Sequence, residues 1–111
     1  GDTSCREDIL QVLQYIDNNY ETPLTVEQVS QRINMSPNYF SYLFKKEVGM
    51  NFLDYVTRYR IEQAKRLLSE TTMQIQEIGI HVGIQDYKYF AKLFRKLTGK
   101  TPTDFRKEKI K

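Results

Sequence analysis

The sequence predicts an all-α fold of about seven helices, set out as two helix-turn-helix subdomains joined by one long linker helix. Three observations predict it. Apolar residues recur every third or fourth position along most of the chain, the period of helices with one buried stripe. No stretch sustains an apolar–polar alternation, and no Asn-Gly or Asp-Gly pair marks a hairpin. The pattern of the first half also returns about fifty residues later.

Taken in order, Ile9, Val12, Leu13, Ile16 and Tyr20 form the stripe of a first helix, which Pro23 separates from the second. Thr25 and Gln28 have capping-box spacing and open that short second helix, with Val26, Val29 and Ile33 inward. Ser36-Pro37 supplies an N-cap followed by a proline in the first turn, where its missing N–H costs nothing. The third helix runs from there to Gly49, a C-terminal stop. Phe52, Tyr55, Val56, Tyr59, Ala64, Leu67 and Leu68 mark a long linker helix over about 51–69. Ile75, Ile78 and Val82 mark a short fifth helix. Asp86 caps a sixth that stops at Gly99. Thr101-Pro102 opens a final helix over about 102–109 with Phe105 inward, and the tail RKEKIK is expected to fray. The helix-turn-helix pairs thus fall at about 24–49 and 74–99. With 111 residues in all, positions 1–111 read as a single domain.

The two pairs are copies. At an offset of 49, Val26 matches Ile75, Val29 matches Ile78, Ser30 matches Gly79, Ile33 matches Val82 and Met35 matches Ile84. After the turn the offset becomes 50. Tyr39-Phe40 then matches Tyr89-Phe90, Leu43-Phe44 matches Leu93-Phe94, Lys45-Lys46 matches Arg95-Lys96, and Gly49 matches Gly99. One added residue between the paired helices of the second copy explains the shift. A short helix, a tight turn and a longer helix make the arrangement whose second helix enters a DNA major groove. Ser30 and Gly79 are small because bulk there would hold the second helix away.

The charge pattern agrees. The net charge is +3, but residues 1–44 hold two basic residues against six acids, a net of −4. Residues 45–111 hold fifteen against eight, a net of +7. A basic half of this kind is a polyanion footprint. At 100° per residue, Phe90, Leu93, Phe94 and Leu97 share one side of the sixth helix, and Lys88, Ala91, Lys92 and Arg95 lie almost opposite, with Tyr87 at their edge. In the third helix Phe40, Leu43 and Phe44 are inner, and Asn38, Ser41, Tyr42 and Lys45 are outer. Small Ser41 and Ala91 allow close approach to a groove floor, and the polar groups around them suit base edges or a thymine methyl. The candidates for base contact are therefore Asn38, Ser41, Tyr42, Lys45, Tyr87, Lys88, Ala91 and Lys92. Those for phosphate contact are Lys46, Arg95, Lys96 and Lys100. A linker of about 18 residues spans roughly 27 Å, so two recognition helices at its ends are expected about one DNA turn, ~34 Å, apart.

Other functions lack residues. His81 is the only histidine, no acid–base pair or phosphate-binding glycine loop is present, and metal ligands are missing, so neither an enzyme nor a cofactor is expected. Cys5 is the only cysteine and reads as a free thiol without a task. There is no apolar run long enough for a bilayer and no export signal, so a cytoplasmic protein is expected. The alternative, a helical protein-interaction module, explains the helices but not the duplicated basic outer faces.

The stretch from Leu24 to Arg106 resembles the C-terminal DNA-binding domain of AraC/XylS-type transcription regulators. Arg60, Ala64 and Leu67-Leu68 in the linker carry the likeness, followed by IQEIGIHVGIQDYKYFAKLFRKLTGKTP. YIDNNY and DYKYF are similar to the subset linked to two-component response regulators. The resemblance implies a bilobal helical domain that binds double-stranded DNA through its third and sixth helices, at the same outer positions. It also implies a further N-terminal sensor, dimerisation or receiver domain, with RNA polymerase as another candidate partner. Where the family has Ala-x-x-x-Gly-Phe, this chain has Gly79 and Gly83-Ile84. Those departures predict a looser second lobe. Asn38, Ser41 and Tyr42, standing where longer polar groups are usual, predict softer readout by the first.

Overall fold

The computed structural model describes residues 2–110, with the side chains of residues 4–109. Seven helices follow one another: α1 (Asp2–Asn19), α2 (Val26–Arg32), α3 (Pro37–Val48), α4 (Phe52–Glu70), α5 (Ile75–His81), α6 (Tyr87–Thr98) and α7 (Pro102–Ile110). No strand occurs among the described residues. Two compact units divide within α4, between Thr57 and Arg58. The tail expected to fray instead continues α7 as far as Ile110, and Lys111 lies outside the described residues.

In the first unit, the α1 stripe buries Ile9, Val12 and Ile16 with Val29 of α2 and Phe40, Leu43 and Phe44 of α3. Phe40, Phe44 and Phe52 form a triangle of rings with centroids 5.6–5.7 Å apart. The second unit is built around Ile61, Ala64 and Leu68 of α4, Ile78 of α5, and Phe90 and Phe94 of α6. Burying a side chain of this size stabilises the fold by about 1.5–3 kcal/mol.

Local geometry repeats as the sequence does. Met35 N–H donates to Ser30 C=O at 2.9 Å, and Ile84 N–H donates to Gly79 C=O at 2.8 Å. Asn34 and Gly83, again 49 apart, hold the left-handed position of each turn, with φ 56° and 95°. α3 and α6 stop on Gly49 and Gly99, whose φ of 95° and 83° most residues adopt only with strain. The repeat runs further still. Asn51 and Thr101 side chains each accept from the backbone of an aspartate three residues on, Asp54 and Asp104. Tyr55 packs edge-on against Phe44 at 5.7 Å, as Phe105 does against Phe94 at 5.5 Å.

Gly79 does not loosen the second unit as expected. A Cβ there would meet the Phe90 ring at 3.1 Å and the Ile84 carbonyl at 3.2 Å, so the ring already fills the space a methyl would take. Ile84 is itself buried. Ser30 keeps its small hydroxyl in the matching place by donating to Glu27 C=O at 3.2 Å. The second unit also has a lock that the sequence did not announce. The Arg106 guanidinium donates to the carbonyls of Leu68 (3.1 Å), Thr71 (3.2 Å) and Met73 (2.6 Å), closing the turn between α4 and α5.

Candidate nucleic-acid interface

α3 and α6 expose their outer faces by the same means. In α3, the Ser36 hydroxyl accepts from Tyr39 N–H at 3.2 Å, and Pro37 occupies the first turn. In α6, the Asp86 carboxylate accepts from Tyr89 N–H at 3.0 Å, and its charge also suits the positive end of the helix. Inward, the fully buried pairs Phe40–Phe44 and Phe90–Phe94 fix each helix about its own axis. That rotation decides which residues face out.

On α3, Asn38, Ser41, Tyr42, Lys45 and Lys46 are exposed, and Tyr42 is open to 61%. On α6, Tyr87, Lys88, Lys92, Arg95 and Lys96 are exposed along the outer side, while Ala91 is half-buried. Ala91 therefore contributes smallness at the helix surface and no reach. Leu93 and Leu97, expected inside, are only half-buried. Beyond Gly99, Lys100 is paired with Glu108 of α7. Arg95 and Lys100 share a cleft of about 310 Å³ with Lys107, Asp104 and Glu108. The site is thus a run of cations on α6 with one acid-countered lysine at its end. The α3 face is more polar and aromatic.

Two tyrosines were not expected from the sequence as outward groups. Tyr39 and Tyr89, 50 residues apart, are exposed to 46% and 55% on the first turns of α3 and α6. Their pairing with Phe40 and Phe90 in the repeat was visible, but helical spacing alone leaves such flanking positions undecided. Tyr39 has neighbours. Its ring stacks on Tyr42 with centroids 6.5 Å apart and planes at 29°, and the Lys46 ammonium lies 6.0 Å from the Tyr42 ring centre. The Cys5 sulfur of α1 lies 3.8 Å from the Tyr39 phenol oxygen. The hydrogen bond with Cys5, more than the charge its thiolate would carry, raises the phenol above its ordinary value. No cluster of three or more His, Cys, Asp or Glu suited to a metal is found among the described residues.

A family profile described as "Helix-turn-helix domain" matches residues 29–108. The C-terminal domain of AraT, a response regulator from Geobacillus stearothermophilus, superposes with a TM-score of 0.87 at 34% identity, over 91% of this chain and 84% of that one. The chain belongs to the AraC-type helix-turn-helix family. It is an AraC-type DNA-binding domain of a transcription regulator, with response-regulator domains among its structural relatives. The arabinose operon regulatory protein of Escherichia coli K12 is 37% identical over 99 residues, which are 88% of this chain and 34% of that protein. The AraC-type domain spans only 13% to 34% of the length of the first curated relatives it matches. The DNA-binding domain of AdpA, solved in complex with a target DNA, shares the fold with a TM-score of 0.86 at 23% identity, over 90% of each chain. No described helix is long and apolar enough to cross a membrane.

Proposed function

We propose that this AraC-type domain reads duplex DNA sequence-specifically by laying α3 and α6 in successive major-groove segments on one side of the helix. One observation carries the reading: the same cap, turn, buried ring pair and glycine stop present an outward polar or basic face twice. Asn38, Ser41, Tyr42 and Lys45 face the bases of one segment, and Tyr87, Lys88, Ala91 and Lys92 those of the next. Lys46, Arg95, Lys96 and Lys100 hold phosphates. In this division base contacts specify, while phosphate contacts position and supply the salt-dependent affinity. α6 carries more of the long cationic groups and reads more strictly; α3 reads more softly.

The domain works without a cofactor and catalyses no reaction. It acts in the bacterial cytoplasm as one part of a longer regulator, and the greater length of its relatives supports a further sensor, dimerisation or receiver domain. The likeness to response-regulator domains favours the receiver. RNA polymerase is the partner through which DNA binding would alter transcription.

The test is selection of duplexes from a randomised pool, followed by titration of the selected duplex against salt. Enrichment of two motifs about one turn apart is expected, with a log–log salt slope of about −0.9 per phosphate contacted. No motif, together with salt-independent or absent binding, defeats the reading.

A further inference from the structure

Within the first unit, the outward face of α3 carries a short stack to which base and phosphate contacts alone give no task. Tyr39, Tyr42 and Lys46 follow at intervals of three and four residues, the spacing that places side chains one above another on a helix. Their geometry matches the spacing: Tyr39 stacks on Tyr42, and the Lys46 ammonium stands over the Tyr42 ring. At the other end, Cys5 of α1 meets the Tyr39 phenol. Tyr42, the most exposed of these rings, therefore has a neighbour one turn before it and another one turn after.

We infer that Tyr39 is a positioning residue for Tyr42: its ring, tied to α1 through Cys5, selects the Tyr42 rotamer that presents the ring to base edges. The inference rests on the proposed role of α3 in reading bases. An unsupported tyrosine on a helix surface has more than one staggered χ1 open to it, and DNA would have to freeze one. A stack present before binding removes that cost, and it does so only for the bases Tyr42 meets. The ammonium of Lys46 adds attraction to the ring face while remaining near the phosphates. A polar helix face poor in long basic groups thereby gains definition from aromatic order rather than from charge. The second unit has no such stack. Position 92 is lysine where position 42 is tyrosine, so Tyr89 has no ring three residues on to support.

The experiment compares the wild-type chain with Tyr42→Ala, Tyr39→Ala, Tyr39→Phe and the double Tyr39→Ala/Tyr42→Ala variant. Each is used to select duplexes from one randomised pool, and affinities are then measured for the wild-type duplex and its single-base changes. Circular dichroism and thermal melting check that each variant is folded. Tyr42→Ala is expected to flatten discrimination at a few adjacent base pairs. Tyr39→Ala should lose about three- to tenfold in discrimination at those same base pairs. Tyr39→Phe, which keeps the ring but loses its bond to Cys5, should lose less than Tyr39→Ala, and the double variant should match Tyr42→Ala. The inference is overturned if Tyr39→Ala weakens all duplexes alike, flattens different positions, or adds its full effect to that of Tyr42→Ala. If Tyr42→Ala leaves the motif intact, base reading by Tyr42 falls, and the inference with it. If the wild-type chain enriches no motif, the DNA-reading proposal itself is at fault.

Discussion

Lys92 and Lys100 carry the same charge in different settings. Lys92 stands exposed in the middle of the α6 outer face, beside half-buried Ala91. Lys100 lies past the helix stop and is already engaged by Glu108. Lys92→Ala is expected to cost about 1–3 kcal/mol on a selected duplex and far less on random duplex, because a base contact is lost. Lys100→Ala should weaken both alike and reduce the salt slope by about 0.9. Equal losses for the two lysines would take base reading away from Lys92. Gly79 gives a second prediction at this scale. With Phe90 at 3.1 Å and the Ile84 carbonyl at 3.2 Å from a would-be Cβ, Gly79→Val must push apart fully packed groups. A loss of about 1–3 kcal/mol by urea unfolding is expected. A variant as stable as wild type would mean that the second unit is looser than its geometry implies.

At the scale of the element, caps and stops were legible because their signals are local. Thr25 accepts from Gln28 N–H at 3.1 Å, while the Gln28 side chain accepts from Thr25 N–H at 3.2 Å, as the capping-box spacing foretold. Asp86 caps α6 as expected, and Asp86→Ala should cost about 1 kcal/mol, read as a lowered melting temperature. Gln74, which precedes α5, makes no such side-chain bond, so that helix depends on its packing. The start of α1 at Asp2 was not visible, since its polar first turns carry no apolar stripe. The Arg106 lock was not visible either, because its acceptors lie 33 to 38 residues away. Arg106→Met keeps most of the apolar stem and deletes three hydrogen bonds from a charged donor. It is expected to destabilise the second unit by about 2–3 kcal/mol. Lys107→Met on the exposed side of α7 should change stability by no more than about 0.5 kcal/mol. Equal effects would show that the turn between α4 and α5 closes without Arg106.

For the whole molecule, the two-segment proposal makes a prediction about DNA phase. Five base pairs inserted between the two halves of a selected duplex turn one half to the opposite side of the helix, whereas ten restore its face at greater distance. The five-pair insertion should reduce binding to that of a single half-site, as measured by gel shift. Unchanged affinity would mean that one unit does all the reading. The sequence by itself determined the helix order, the duplication with its shift from 49 to 50, and the inward phenylalanines of α3 and α6. Periodicity, caps and glycine stops are local properties, and a repeat compares a chain only with itself. Tertiary structure decided what depends on residues far apart in the chain: the Phe90 ring in the space beside Gly79, the Arg106 lock, and the thiol of Cys5 against Tyr39. Lys100 and Glu108 belong with these, eight residues apart and joined only because α7 turns back on the end of α6. Such pairings arise when packed helices bring side chains within a few ångströms, a proximity that no local pattern encodes.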